Sequence, residues 1–150
     1  MANQVEKTLN KVLYQLLQSE RYVLLSTIEH QTCTPMVNAI SWVYASTESS
    51  IRLAIDNRSK IVENIRQNPS VVVTLISDDS TYAIKGEAII EHETIDNVPL
   101  KLSMIELKIE EVRDIMFYGS KITSAPKYEK TYDNKAAKKL DNQVMKALKM

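Results

Sequence analysis

The stretch "IDNRSKIVENIRQNPSVVV", residues 55–73, decides how the rest of the chain is read. Just upstream, "IRLAI" (51–55) puts Ile51, Leu53 and Ile55 on one face of a strand. Asp56, Asn57, Arg58, Ser59 and Lys60 then interrupt the alternation with polar side chains. Ile61, Val62 and Ile65 resume at helical spacing. Asn68-Pro69 stops that helix, because the residue before a proline is pushed out of the helical region. "SVVVTLIS" (70–77) is apolar on both faces, the mark of a central strand. A strand therefore enters a polar turn, a short helix and a second strand.

Outward from this segment, β signals dominate. Val5, Leu9, Val12, Leu13, Leu16 and Leu17 predict an amphipathic helix over about residues 3–19. "RYVLLSTI" (21–28) and "MVNAISWVYA" (36–45) read as two strands before 51–55. "TYAIKGEAIIEHE" (81–93) reads as a long fifth strand, with Gly86 marking a bend, a bulge or a close backbone approach. Residues 100–119 support either a helix, through Glu106, Glu110 and Glu111, or two strands at 102–109 and 112–118. Val112, Ile115, Phe117 and Tyr118 favour the strands. Ala136, Leu140, Val144 and Leu148 predict a closing helix over 133–148. Short connections make the sheet largely antiparallel, and closure into a barrel would remove its edges.

Composition excludes several classes. The 150 residues suit one domain, 1–150, with a C-terminal helical extension over about 120–150. With 44% hydrophobic and 25% charged residues, the chain has the profile of a globular domain. Its apolar runs are far shorter than the ~20 residues of a membrane span. The amphipathic N-terminus carries Glu6 and reads as neither a secretory signal nor a transit peptide. A zero formal charge argues against a nucleic-acid partner, although residues 121–150 hold eight lysines against Glu129, Asp133 and Asp141. Cys33 is alone, which removes internal disulfides and fits a reducing cytoplasm. His30 and His92 are far apart and lack metal-ligand spacing, so no metal site is expected.

The polar turn admits two readings. A helix N-terminus attracts anions; Arg58 offers a planar fork, Lys60 a point charge and Ser59 a hydroxyl, together a phosphate cradle. Alternatively, Asn57 or Ser59 merely caps the helix while both cations face water, which on the residues alone is the commoner arrangement.

The order of elements resembles the pyridoxamine 5'-phosphate oxidase-like family of FMN-binding split β-barrels. The likeness is carried by Arg58, Ser59 and Lys60, by Asn64-Ile65, by Asn68-Pro69 and by Val71-Val72-Val73. "TPMVNAISWVYA" and "YAIKGEAIIE" match the family's strand after the first hairpin and its glycine-centred strand. The resemblance spans about residues 5–118. It implies a mainly β fold: a six-stranded antiparallel split β-barrel with an N-terminal helix, a short helix after strand 3 and a C-terminal helix. It further implies a homodimer with FMN at the subunit interface. Arg58, Ser59 and Lys60 would hold the phosphate. Asn38, Ser41 and Trp42 would lie along the isoalloxazine ring, with Thr81 and Tyr82 as weaker candidates.

NADH or NADPH would be the electron donor of such an oxidoreductase. No catalytic acid or base is identifiable from the sequence. The family's true oxidases grip pyridoxal phosphate with a C-terminal arginine motif, whereas the last arginine here is Arg113. A non-catalytic flavin-binding module and a haem-binding split barrel are the alternatives, the latter poorly served by two scattered histidines.

Overall fold

The computed structural model describes residues 5–150. Its elements run β1 (Val5–Glu6), α1 (Lys11–Leu16), β2 (Val23–Ile28), β3 (Pro35–Ile40), β4 (Val43–Thr47) and β5 (Ser50–Asp56). They continue α2 (Lys60–Gln67), β6 (Ser70–Ile76), β7 (Thr81–His92), β8 (Leu102–Asp114) and α3 (Asn134–Lys149). One antiparallel sheet takes the order β3-β2-β6-β7-β8-β5-β4, with β1 added to β8. The fold is mainly β with peripheral helices, as expected.

Three expectations change in detail. The helix over 3–19 shrinks to α1, residues 3 and 4 lying outside the described residues. Asn10 caps it by accepting the Leu13 N–H at 2.8 Å, and Val5–Glu6 pairs with β8 instead. The expected strand 36–45 is two strands, because the chain turns at Ser41-Trp42, where the Val43 N–H bonds back to the Ser41 carbonyl at 3.0 Å. The two strands expected over 102–118 are one, β8, whose register shifts opposite Lys85/Gly86 and which ends at Asp114. The seven strands read from the sequence, six in the split barrel that the resemblance implies, thus become eight.

Closure is also incomplete. β3 and β4 are the two ends of the sheet and share no ladder, yet only Ser41 and Trp42 separate them in the chain. The sheet therefore curls until its edges meet at one corner and leaves a seam between them.

The inner face carries the main core. Val23, Leu25, Val43, Ala45, Ile51, Leu53, Val73, Leu75, Ile84, Ile105 and Leu107 are all buried there, with Leu9, Leu13 and Leu17 around α1 and Ile61, Val62 and Ile65 of α2. Gly86 lies at the β7–β8 irregularity, where a Cβ would fall 2.0 Å from the Lys108 carbonyl oxygen. The outer face is covered on one side only. Val144, Met145 and Leu148 of α3 pack on Ala54, Leu102 and Met104, with Trp42 and Tyr44 at the margin. The buried stripe of α3 begins at Ala137 and not at Ala136.

Candidate functional site

The polar turn is ordered by its own side chains. Asp56 accepts the Arg58 N–H at 2.8 Å and pairs with its guanidinium at 3.4 Å. Backbone and side-chain hydrogen bonds from Arg58 hold the Asp56 carboxyl below its usual pKa. Ser59 is the N-cap of α2, its Oγ accepting the Val62 N–H at 3.4 Å. Lys60 pairs with Glu63 at 3.5 Å. The capping arrangement is thus present, and both cations are solvent-facing, the Arg58 side chain 80% exposed and that of Lys60 44%.

Asn64 joins this turn to the sheet. One turn beyond Lys60 on the same helical face, it is fully buried and donates from Nδ2 to Thr27 Oγ1 at 3.0 Å, beside the Met36 sulfur. Its Oδ1 is buried without a partner. The turn is thereby tied to β2 and β3. A polar residue in a stripe with Ile61 and Ile65 was a legible signal, but it did not say what Asn64 would touch.

The candidate ring residues separate. Asn38 shares the inner-face row of Leu25, yet it is exposed because β3 is an edge. Ser41 and Trp42 are drawn into a clasp with residues that sequence reasoning missed. Ser41 Oγ donates to Glu20 at 2.7 Å, and Lys130 Nζ donates to Glu20 at 2.6 Å and to Asp141 at 3.3 Å. The Trp42 indole N–H donates to Asp141 at 2.9 Å. Burial works against the Lys130 charge, but Glu20 and Asp141 outweigh it and raise the ammonium above its usual pKa. These residues lie up to 110 positions apart, and no local pattern announces such a contact. Tyr82 packs against the core, and burial, with Asp79 and Asp114, raises its phenol pKa.

Beside this, the outer face of β3-β2-β6-β7 is open. One cross-strand row holds Ala39, Leu24, Thr74 and Ala83, and the next holds Val37, Ser26, Val72 and Lys85. All eight are exposed or half-buried, Val37 at 55%. His30, His92 and Cys33 are exposed, and the described residues contain no cluster of three potential metal ligands. No helix among them is long and apolar enough to cross a membrane.

The fold defines a class: this is the architecture of the pyridoxamine 5'-phosphate oxidase-like proteins. A protein from Lactobacillus delbrueckii, provisionally named a pyridoxamine 5'-phosphate oxidase, superposes with a TM-score of 0.63 at 18% identity, over 75% of this chain and 98% of its own. General stress protein 26 from Bacillus anthracis superposes at 0.53 and 19% identity, over 67% and 94%. An F420 reductase superposes at 0.50 and 19%, over 63% and 90%. No protein-family model and no curated protein sequence matches the chain. At these identities the likeness is one of fold.

Proposed function

We propose that the chain is an FMN-binding flavoprotein, a small oxidoreductase acting as a homodimer. The observation that carries this reading is the cationic turn at the N-terminus of α2, tied through Asn64 to the edge of the sheet. Ser59 Oγ satisfies one first-turn N–H group, and the helix N-terminus favours a phosphate. The ion pairs of Arg58 and Lys60 are exposed, the kind that contributes about 0–1 kcal/mol, so both cations can turn to a phosphate cheaply. These residues fit the phosphate end of FMN. Asn38, exposed on the β3 edge, suits the ring end, whereas Ser41 and Trp42 are taken up by Glu20 and Asp141. The open rows on β3-β2-β6-β7, five of whose eight side chains are apolar, are the surface a second copy would cover. Solved structures of this fold include one named an oxidase and one named a reductase, which supports redox chemistry in this chain.

Bound FMN would supply two-electron redox chemistry, with NADH or NADPH as the reductant class. The chain's part is to hold the phosphate, orient the ring against β3 and exclude water at the dimer face.

Flavin titration tests this. The wild type should take up about one FMN per chain. Arg58→Ala and Lys60→Ala should each weaken binding on the order of tenfold, since a charged hydrogen bond contributes roughly 1.5–3 kcal/mol. Riboflavin, lacking the phosphate, should respond little to either change. Unchanged FMN affinity in the double variant, or no uptake by the wild type, would overturn the reading. Anaerobic bleaching by NADH or NADPH then separates an oxidoreductase from a flavin-binding module.

A further inference from the structure

α3 carries a second stripe beside its buried one. Gln143, Lys146, Ala147 and Met150 fall at i, i+3, i+4 and i+7, so they share one face of the helix. That face borders a groove of about 640 Å³. Small-molecule sites occupy roughly 300–1,000 Å³ and pair an apolar lining with a few polar groups. The opposite wall is the connection between β7 and β8, at Thr94 and Asp96. Ile95 and Met104, both largely buried, lie at the base, and His92 stands opposite Met104 in the β7–β8 ladder.

Each wall is held by bonds of its own. On the connection, Thr94 Oγ1 accepts from Asn57 Nδ2 at 3.3 Å and the Ile95 N–H donates to the Leu102 carbonyl at 2.7 Å. Ser103 Oγ donates to the Glu93 carbonyl at 2.7 Å, and Arg66 of α2 grips the Glu93 carboxylate with both terminal nitrogens. α3 is seated by Val144, Met145 and Leu148, and by the Arg52 guanidinium on the Leu148 carbonyl at 2.8 Å. A ligand therefore meets two walls that are already ordered, which lowers the entropy lost on binding.

The two walls carry opposite charges. Lys146 is on α3 and Asp96 on the connection, and both are exposed. Among the described residues neither makes an ion pair or a side-chain hydrogen bond, so they do not meet across the groove. Gln143 and His92 are likewise uncommitted, and each can donate or accept. A ligand charged with one sign would face a like charge at one wall, whereas a zwitterion faces an opposite charge at both.

We infer that this groove binds a small zwitterion with an apolar body, the class to which the apolar amino acids belong. Lys146 Nζ, on its flexible stem, donates to the carboxylate, and Asp96 accepts from the ammonium. The apolar body lies over Ile95, Met104 and Ala147.

Amide NMR on the 15N-labelled full chain tests the site without involving FMN. L-leucine, 4-methylpentanoate and isoamylamine share one hydrocarbon body and carry both charges, the negative alone and the positive alone. L-leucine should shift the Asp96, Gln143 and Lys146 amides along one saturable curve. The other two should bind at least about fivefold more weakly, the scale of one exposed ion pair. Lys146→Met should weaken L-leucine about fivefold and spare isoamylamine, whereas Asp96→Asn should weaken both and spare 4-methylpentanoate. Both side chains are exposed, so each variant should melt with the wild type. Saturation by L-phenylalanine in place of L-leucine supports the site equally. No saturable shift with either amino acid, a singly charged analogue that matches L-leucine, or unchanged L-leucine affinity in either variant would overturn it.

Discussion

Ser59 and Asn64 sit in one short helix and do different work. Ser59 satisfies a first-turn N–H group, whereas Asn64 enters the core and reaches Thr27. Ser59→Ala should therefore lower stability by about 1 kcal/mol in urea denaturation. Arg58→Ala, on an exposed side chain, should stay within about 0.5 kcal/mol. Stability and flavin affinity thus separate the cap from the cradle. Gly86 makes a sharper case. Gly86→Ala would drive a methyl into the Lys108 carbonyl, a rigid backbone neighbour, and should cost about 3 kcal/mol or more. A midpoint unchanged from wild type would mean that β7 and β8 are not so closely apposed. At this scale the place of the polar turn was legible, because its five residues are consecutive, but the pairing of Arg58 with Asp56 and of Lys60 with Glu63 was not. Nor was the buried end of Asn64, because burial depends on segments distant in the chain.

Elements were legible where one period persisted and ambiguous where it changed. β5, α2, β6 and β7 appear almost where alternation and Pro69 put them. The N-terminal helix was overdrawn because Val5 fits the helical stripe, yet it pairs with Arg113 on β8. The 36–45 strand concealed a corner because Ser41-Trp42 does not break the alternation strongly. α3 shows what this corner is for. It reaches the sheet through Trp42, through Lys130 and through the Arg52 guanidinium, which donates to the Leu148 carbonyl at 2.8 Å.

Lys130→Met should leave Glu20 and Asp141 half-buried without their cation and cost about 1–3 kcal/mol. Trp42 is the sole tryptophan, so its emission should shift to longer wavelength as the indole loses its fixed partner. An unchanged spectrum would mean that Asp141 holds Trp42 without Lys130. The pH dependence has a defined sign. The folded chain holds the Lys130 proton more tightly than the unfolded chain, whose ordinary value is 10.5. This stabilisation is complete below that value and is lost as pH rises through the higher folded one. Wild type should lose more stability than Lys130→Met across that alkaline window.

The whole molecule is asymmetric about its sheet. α3 covers the outer face over β4, β5 and β8, while β3-β2-β6-β7 leaves Val37, Ala39, Leu24, Val72 and Ala83 uncovered among Ser26, Thr74 and Lys85. Ala39→Glu puts a charge on that open face without touching the core. It should shift sedimentation toward monomer and reduce FMN uptake together. Intact dimer with intact flavin binding in Ala39→Glu would move the interface elsewhere. The antiparallel β architecture could be read from alternation and connection length. The seam could not, because closure depends on how far a sheet curls, and a period-2 pattern is the same in a curled sheet and a flat one.

That seam carries a kinetic cost. β3 and β4 are neighbours in sequence but opposite ends of the sheet, so the hairpin that would form fastest between them never forms. The edges come together only after β2 has found β6 and β5 has found β8, partners some fifty residues apart in each case. A topology governed by such distant pairings folds in about milliseconds to seconds, not microseconds. Because β2 alone pairs with it, β3 stays an open edge during folding and after it, with Val37 and Ile40 placed to recruit a stray strand.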